Sequence, residues 1–510
     1  MKSAMWGYRQ RVSGIRRGED ERCRGCARLI GQRRTMEDGR WWAIGHRLLY
    51  QRNEDKESKR EMKTMENGEI RQVGPASKVI PKMEVAFVRR KGEYGMWWPG
   101  AIYDGEAALE KYTEGLLEAG RDMNVEINLR PDPLYNMEEA KQWVDQCQAR
   151  KPDGLLLILL DRHQHAWPTA AMAMESGIPT VIFSPVGTAF TTNTAGLSRR
   201  KNSIIYSTDS FEQAVYGIKM IKAHRKLRET RLIVLEGSER RRSTLPQIGM
   251  DIRYVPAKTF IDAYQAMPFT DEIKAIAADY LKKATRVYGS TEQDVLNGVK
   301  GYAVARSILE QEEGDAITMD CLGALGTSEV SLPCLAWSRM NDQGVPAACE
   351  ADLQASATQA LVQYLFDQPG FQQDPVPETL RGNLIGAHCT CPTKLNGFSA
   401  PSEPFYLSFH HGKRDAVPRT MWKVGQRITV TQFVFGKDED QPKLIVSSGQ
   451  VVDNIAVPPS GGCVVSVEVA LDGVGDCLAY PGFHQLFLYG DHKRELLDYC
   501  KLFDIEPWIV

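Results

Sequence analysis

Residues 154–160 read GLLLILL, an unbroken apolar run closed by Asp161. Side chains alternate between the two faces of a strand, so a strand apolar throughout must be covered on both sides. The run therefore predicts a buried strand with helices above and below it. Its surroundings agree. Strands are expected at 83–89, 125–129, 180–183 and 203–206, and helices at 105–119, 137–149, 167–175 and 211–227. Alternation of this kind builds a parallel sheet with helices on both faces. RLIVLE at 231–236 opens a second unit. It reads as mostly helical from 251 to 314, then as a strand at 315–319 that ends on Asp320.

The stretch 345–377 reads strand, helix, strand. Residues 345–349 are apolar and end at Glu350. Leu353, Ala357, Ala360, Leu361, Tyr364 and Leu365 recur at helical spacing, Asp367-Gln368-Pro369-Gly370 is a turn signal, and 371–374 is extended again. A helix of this length allows a crossover, so the flanking strands are expected to lie parallel in one sheet. Glu350 and Asp374 would then share the carboxyl-end rim where open α/β sheets hold ligands. Two carboxylates there repel unless they share a cation or a proton, or each is solvated in its loop.

After 377 the texture changes to short strands with turn signals, at 384–389, 405–409, 427–435, 443–452 and 463–471, which predicts an antiparallel β-barrel or sandwich. A final helix is expected at 494–503. The fold class is therefore α/β: two parallel-sheet α/β units, 83–230 and 231–377, followed by a C-terminal antiparallel β-barrel domain, 378–510.

Glu350-x-Asp352, a helix, and then Asp374 resemble the pattern of the L-fucose isomerase family. The segment Pro481-Gly482-Phe483-His484 through Gly490-Asp491-His492 is similar to that family's C-terminal ligand segment. The resemblance is anchored by motifs in about the last two hundred residues. Between Asp374 and His484 the chain is shorter than in typical members. The resemblance implies that Glu350, Asp374 and His484 hold a divalent metal, Mn2+ or another divalent cation. It also implies that Glu350 and Asp374 move protons between C1 and C2 of a sugar. The function it implies is aldose–ketose isomerisation through an enediolate. The rivals are epimerisation or dehydration of a sugar or sugar acid on the same scaffold, and a non-catalytic sugar-binding protein. Asp352 is expected to cap the helix that follows it, so that its replacement by Asn should be mild.

Further contacts to a small-molecule sugar substrate are expected from loops at strand ends. His163 and His165 follow the buried GLLLILL strand, Asp320 ends a strand beside 345–349, and His388 closes a barrel strand. For the two loop histidines, an exposed position without a role is the competing reading. The family's N-terminal domain helps cover a neighbour's site, which implies a homo-oligomer, a trimer or hexamer. His388-Cys389-Thr390-Cys391 reads as a polar loop near the pocket, because hard cations prefer oxygen and imidazole to thiolate. His410-His411-Gly412-Lys413-Arg414 reads as a solvated basic turn.

The formal net charge of −2 gives no basic face for nucleic acid, and no apolar run is long enough for a membrane span. The 11 cysteines are scattered and odd in number, as in a cytoplasmic protein with reduced thiols. Residues 1–82 show no apolar period. Cys23 and Cys26 make a lone CxxC without the second pair that a zinc site needs. This head is expected to be disordered, or an extension from a misplaced start codon with Met62, Met65 or Met83 as the true start. A chain beginning at Met83 would then keep its thermal midpoint.

Overall fold

The computed structural model describes residues 69–92, 95–96, 103–162, 164–326, 328–410, 414–436, 441–456 and 462–510. The expectations for the head before residue 69, for His163 and for His411 to Lys413 lie outside the described residues.

The first sheet forms where the apolar runs predict it. Its strands are β1 (Lys82–Val88), β2 (Glu126–Leu129), β3 (Gly154–Leu159), β4 (Thr180–Ser184) and β5 (Ser203–Ser207). They lie in the order β2-β1-β3-β4-β5, all parallel. Every residue of β3 is buried. Helices α1 (Gly105–Asp122), α2 (Met137–Arg150), α3 (Ala166–Met174) and α4 (Glu212–Glu229) connect the strands or follow the last. Asp104 and Asn136 start α1 and α2 by accepting hydrogen bonds from first-turn N–H groups. Glycine permits α4 to lie close on the sheet. A Cβ at Gly154 would fall 2.3 Å from Ile221, and one at Gly217 would fall 2.8 Å from Val181.

The second sheet holds β6 (Arg231–Leu235), β7 (Arg241–Leu245), β8 (Met250–Val255), β9 (Ala316–Met319) and β10 (Ala347–Cys349), in the order β10-β9-β6-β8-β7. Only the β7–β8 pair is antiparallel. Strand β8 corrects the helical reading that began at 251: Met250, Ile252 and Tyr254 alternate inward along it, a period of two that the helices after it mask. Those helices are α5 (Lys258–Ala266), α6 (Asp271–Lys283) and α7 (Glu292–Gln311). The short α8 (Cys321–Leu325) and then α9 (Cys334–Asp342) precede β10, and α10 (Leu353–Phe366) follows it.

The barrel carries the main correction. Strand β11 (Phe371–Glu378) does not lie beside β10. It pairs antiparallel with β12 (Asn383–His388) and with β18 (Gln485–Tyr489). With β15 (Arg427–Val434), β16 (Lys443–Asn454) and β17 (Val465–Leu471) it forms the sequence β15-β18-β11-β12-β17-β16, closed by pairing of β15 with β16. The strands expected at 405–409 do not enter this barrel. Instead β13 (Phe405–Ser408) and β14 (Val417–Thr420) form a separate hairpin. So α10 crosses from a parallel sheet to a barrel, and the boundary expected at 377 falls before β11. The barrel is filled by Phe371, Val430, Val467, Val469 and Phe487.

The C-terminal helix α11 (Lys493–Leu502) returns to the first unit. Tyr206 Oη donates to Asp498 at 3.0 Å, and the His224 ring stacks on Phe503 at 3.9 Å. No helix among the described residues is long and apolar enough to cross a membrane.

The boundary expected at 82 also moves. Residues 75–78 form one helical turn on the second unit, where the Ala76 and Ser77 N–H groups donate to the largely buried Asp315 carboxylate at 3.2 and 3.3 Å. Arg231 N–H is its third donor, at 3.0 Å. Removing two donors from a buried carboxylate costs about 1–3 kcal/mol. A chain beginning at Met83 should therefore melt a few degrees below one beginning at Glu69. Equal midpoints in scanning calorimetry would restore the boundary at 82.

Candidate metal centre

Glu350 leaves the end of β10 in a left-handed conformation, φ 63°, and Ala351 follows at φ 54°. This pair turns the chain directly into α10, which Asp352 caps by accepting from Ala355 N–H at 2.9 Å. His484 stands before β18 and is also left-handed, at φ 56°. Non-glycine residues held in this region cost roughly 1–3 kcal/mol each and persist only where surrounding contacts over-determine them. At Cys349, the residue before Glu350, one such contact is its N–H, which donates to Gln372 Oε1 at 2.8 Å and ties the end of β10 to β11.

That tie brings the three residues together. His484 Nε2 lies 3.2 Å from Asp374 Oδ1 and 3.5 Å from Glu350 Oε2. Asp374 lies on β11, whose neighbour β18 begins beside His484 through the pair Gln373 and Gln485. The site is thus the junction of the second sheet's edge with two adjacent barrel strands. The rim shared by two parallel strands does not exist, because β11 belongs to the barrel.

His388 completes the group. It is buried at the end of β12, with Nε2 3.8 Å from Glu350 Oε1 and its ring centroid 5.5 Å from that of His484. Ligand atoms of Glu350, His388 and His484 lie within 4.8 Å of one another. Asp320 is elsewhere occupied: it ends β9 beside β10 as expected, but its carboxylate accepts from Gly323 N–H at 3.0 Å and caps α8. His165 is buried rather than exposed. Its Nε2 lies 2.9 Å from the Leu134 carbonyl, joining the loop after β2 to the start of α3.

The donor set fits a divalent cation. Asp374 Oδ1 and His484 Nε2 are buried side-chain atoms that face each other without an aligned hydrogen bond. Ligands about 2.1 Å from one octahedral ion stand roughly 3 Å apart, close to the separations found. Two carboxylates with imidazole suit manganese or magnesium better than a soft ion. Without a cation, a proton would take that role. Burial by itself would lower the His484 pKa, but the Asp352 and Asp374 carboxylates outweigh it and raise it to about 9.

Asp352 has a second task beyond capping. Its other oxygen lies 2.9 Å from His484 Nδ1. A carboxylate on Nδ1 fixes the ring and leaves Nε2 directed at the site, the usual arrangement behind a metal-binding histidine. The mild effect expected of Asp352→Asn is therefore replaced by a specific one.

No family model matches the chain, and no curated protein matches it. Among solved structures, GanP, a glucose-galactose binding protein from Geobacillus stearothermophilus, is 15% identical over 56% of this chain and 89% of its own, with a TM-score of 0.18. An ABC transporter solute binding protein from Burkholderia multivorans is 14% identical over 47% of this chain and 80% of its own, also at 0.18. Likeness at this TM-score carries no argument about architecture or activity.

Removing the charge of Asp352 should lower the pKa of His484. In chelator-treated protein, folded His484 holds a proton up to about 9, whereas unfolded histidine releases it near 6.5. The folded state thus binds more protons in that window, and stability falls as pH rises through it. Asp352→Asn should flatten this slope and move the His484 titration, followed by NMR, towards 6.5. An unmoved titration would remove the assigned pairing.

Proposed function

We propose that the chain is a metal-dependent sugar isomerase that interconverts an aldose and a ketose. The observation that carries this reading is the convergence of Glu350, Asp374 and His484, with two buried donor atoms facing each other and no aligned hydrogen bond between them. The resemblance of Glu350-x-Asp352, Asp374 and the His484 segment to L-fucose isomerases supports it.

Isomerisation moves a proton from C2 to C1 and another from O2 to O1. A weakly acidic carbon proton needs a base in contact with it, and the enediolate that forms needs its negative charge stabilised. A divalent cation held by Glu350, Asp374 and His484 would supply that stabilisation at O1 and O2. Glu350 is the base that substrate reaches, because about a third of its side-chain surface is open while the His484 ring is buried. It takes the proton from one carbon and returns it to the other. Asp374 serves the opposite side of the C1–C2 bond. His388 faces Glu350 from the barrel. Burial would lower its pKa, but Cys389 and Asp374 outweigh that and raise it, so His388 can donate a hydrogen bond to a sugar oxygen. Asp352 holds His484 in register.

The reading includes a sugar as ligand and a closed homo-oligomer, a trimer or hexamer. Purified protein supplied with Mn2+ should convert at least one aldose to its ketose in a screen of common sugars. Glu350→Gln should reduce turnover by roughly 10²–10⁴-fold while retaining part of the metal binding. His484→Ala should lose metal first and activity with it. Chelation should lower the thermal midpoint, since a ligand that binds only the folded state stabilises it. Full turnover by Glu350→Gln would refute the assignment. Recovery of an epimeric aldose in place of a ketose would make the enzyme an epimerase.

A further inference from the structure

Behind His388 lies a second group of donors, of different chemistry and from distant parts of the chain. Cys389 follows β12, Cys334 opens α9, Cys349 ends β10, and His410 lies two residues beyond the hairpin strand β13. All four are buried. The loop expected to be polar is therefore interior, and so is His410 at the start of the turn expected to be solvated. Ligand atoms of Cys334, Cys389 and His410 lie within 4.8 Å of one another, and so do those of Cys349, His388 and Cys389. Cys334 Sγ is 3.8 Å from His410 Nδ1, and Cys389 Sγ is 3.5 Å from His388 Nδ1. The Cys389 sulfur is common to both groups.

Isolated buried thiols behave as small apolar side chains. Cys389 is not isolated: its sulfur lies within ligand distance of two other thiols and two imidazoles. Cys391, two residues on, faces away and bonds the Pro392 carbonyl.

We propose that Cys334, Cys389 and His410 form a zinc site distinct from the carboxylate centre. Two thiolates and one imidazole supply three of the four positions of a tetrahedral zinc. A sulfur about 2.3 Å and a nitrogen about 2.05 Å from such an ion stand roughly 3.5 Å apart, close to the 3.8 Å between Cys334 Sγ and His410 Nδ1. His388 is left to the carboxylate centre, because its Nε2 faces Glu350. Soft thiolates and hard carboxylates then sort zinc from manganese on the two sides of one histidine. Zinc at this place would cross-link α9, the end of β12 and the loop after β13, which binds the second unit to the barrel domain. The proposal does not depend on the isomerase reading.

The test is metal analysis of the full chain, purified reduced and without chelator, followed by replacement of zinc with Co2+. About one equivalent of zinc is expected at this site, together with a thiolate-to-cobalt charge-transfer band in the near ultraviolet. Cys389→Ser should lose both zinc and band, whereas Cys391→Ser and His484→Ala should keep both. The parent protein supplies a readout independent of whether Cys389→Ser folds: titration of its thiols with a mercurial should release the zinc stoichiometrically into a chromogenic chelator. Absence of zinc and of the cobalt band from the reduced parent would overturn the proposal. A native disulfide between Cys334 and Cys389 in metal-free protein would do the same, as would a band that survives Cys389→Ser but vanishes in His484→Ala.

Discussion

The architecture depends on the burial of one helix, α10, whose polar side chains bond to groups in three directions. Ser356, Thr358, Gln359 and Gln363 are as buried as the apolar residues between them. Thr358 Oγ1 accepts from Phe433 N–H and Gln354 Oε1 from Phe435 N–H, both at 2.9 Å, which supplies partners to the barrel strand β15 and the residue just beyond it. Gln359 and Gln363 donate to Asn341 Oδ1 at 2.8 and 2.9 Å, and Asn341 holds both backbone groups of Ala347 in β10. Apolar burial alone would let a helix slide or rotate. Buried hydrogen-bonding groups cost free energy wherever they lack a partner, so this helix docks in one orientation. That orientation sets the end of β10 against β11 and therefore Glu350 against Asp374.

The candidate centre inherits its chemistry from the same docking. Backbone strain at Glu350, Ala351 and His484 sits where the sheet edge meets the barrel, and it is held there by contacts such as that of Gln372 with Cys349. Opposed carboxylates need positive charge between them. Without a cation, the Asp352 and Asp374 carboxylates would hold a proton on His484. On the other side of His388 lies a softer donor set around the Cys389 sulfur. Burial makes the charge balance of this junction acute because water cannot screen it.

Much of the architecture was legible locally. Continuous apolar runs in β3 and β4, alternation in the later strands and the turn at Asp367 to Gly370 are properties of neighbouring residues, so the two α/β units and the barrel could be read in order. Glu350, Asp374 and His484 were legible through resemblance, and their meeting at the edge of the barrel follows from strand order. Pairing partners were not legible. The segment 371–374 carries the same extended pattern whether it joins β10 or β18, and only the backbone hydrogen bonds of the folded chain decide between them.

By itself the sequence determined the alternation of elements, the switch to antiparallel strands after α10 and the residue types at the centre, because periodicity and composition act over a few residues. Tertiary structure alone decided that β11 is a barrel strand, that residues 75–78 satisfy Asp315, that His165 serves the Leu134 carbonyl, and that Asp352 backs His484. It also alone gathered Cys334, Cys349, Cys389 and His410, which lie far apart along the chain and are joined by no local pattern. The physical reason is common to all of these. Each is a contact between groups distant in sequence, and its partner is chosen by which buried donor or acceptor remains unsatisfied once the sheets and α10 have docked.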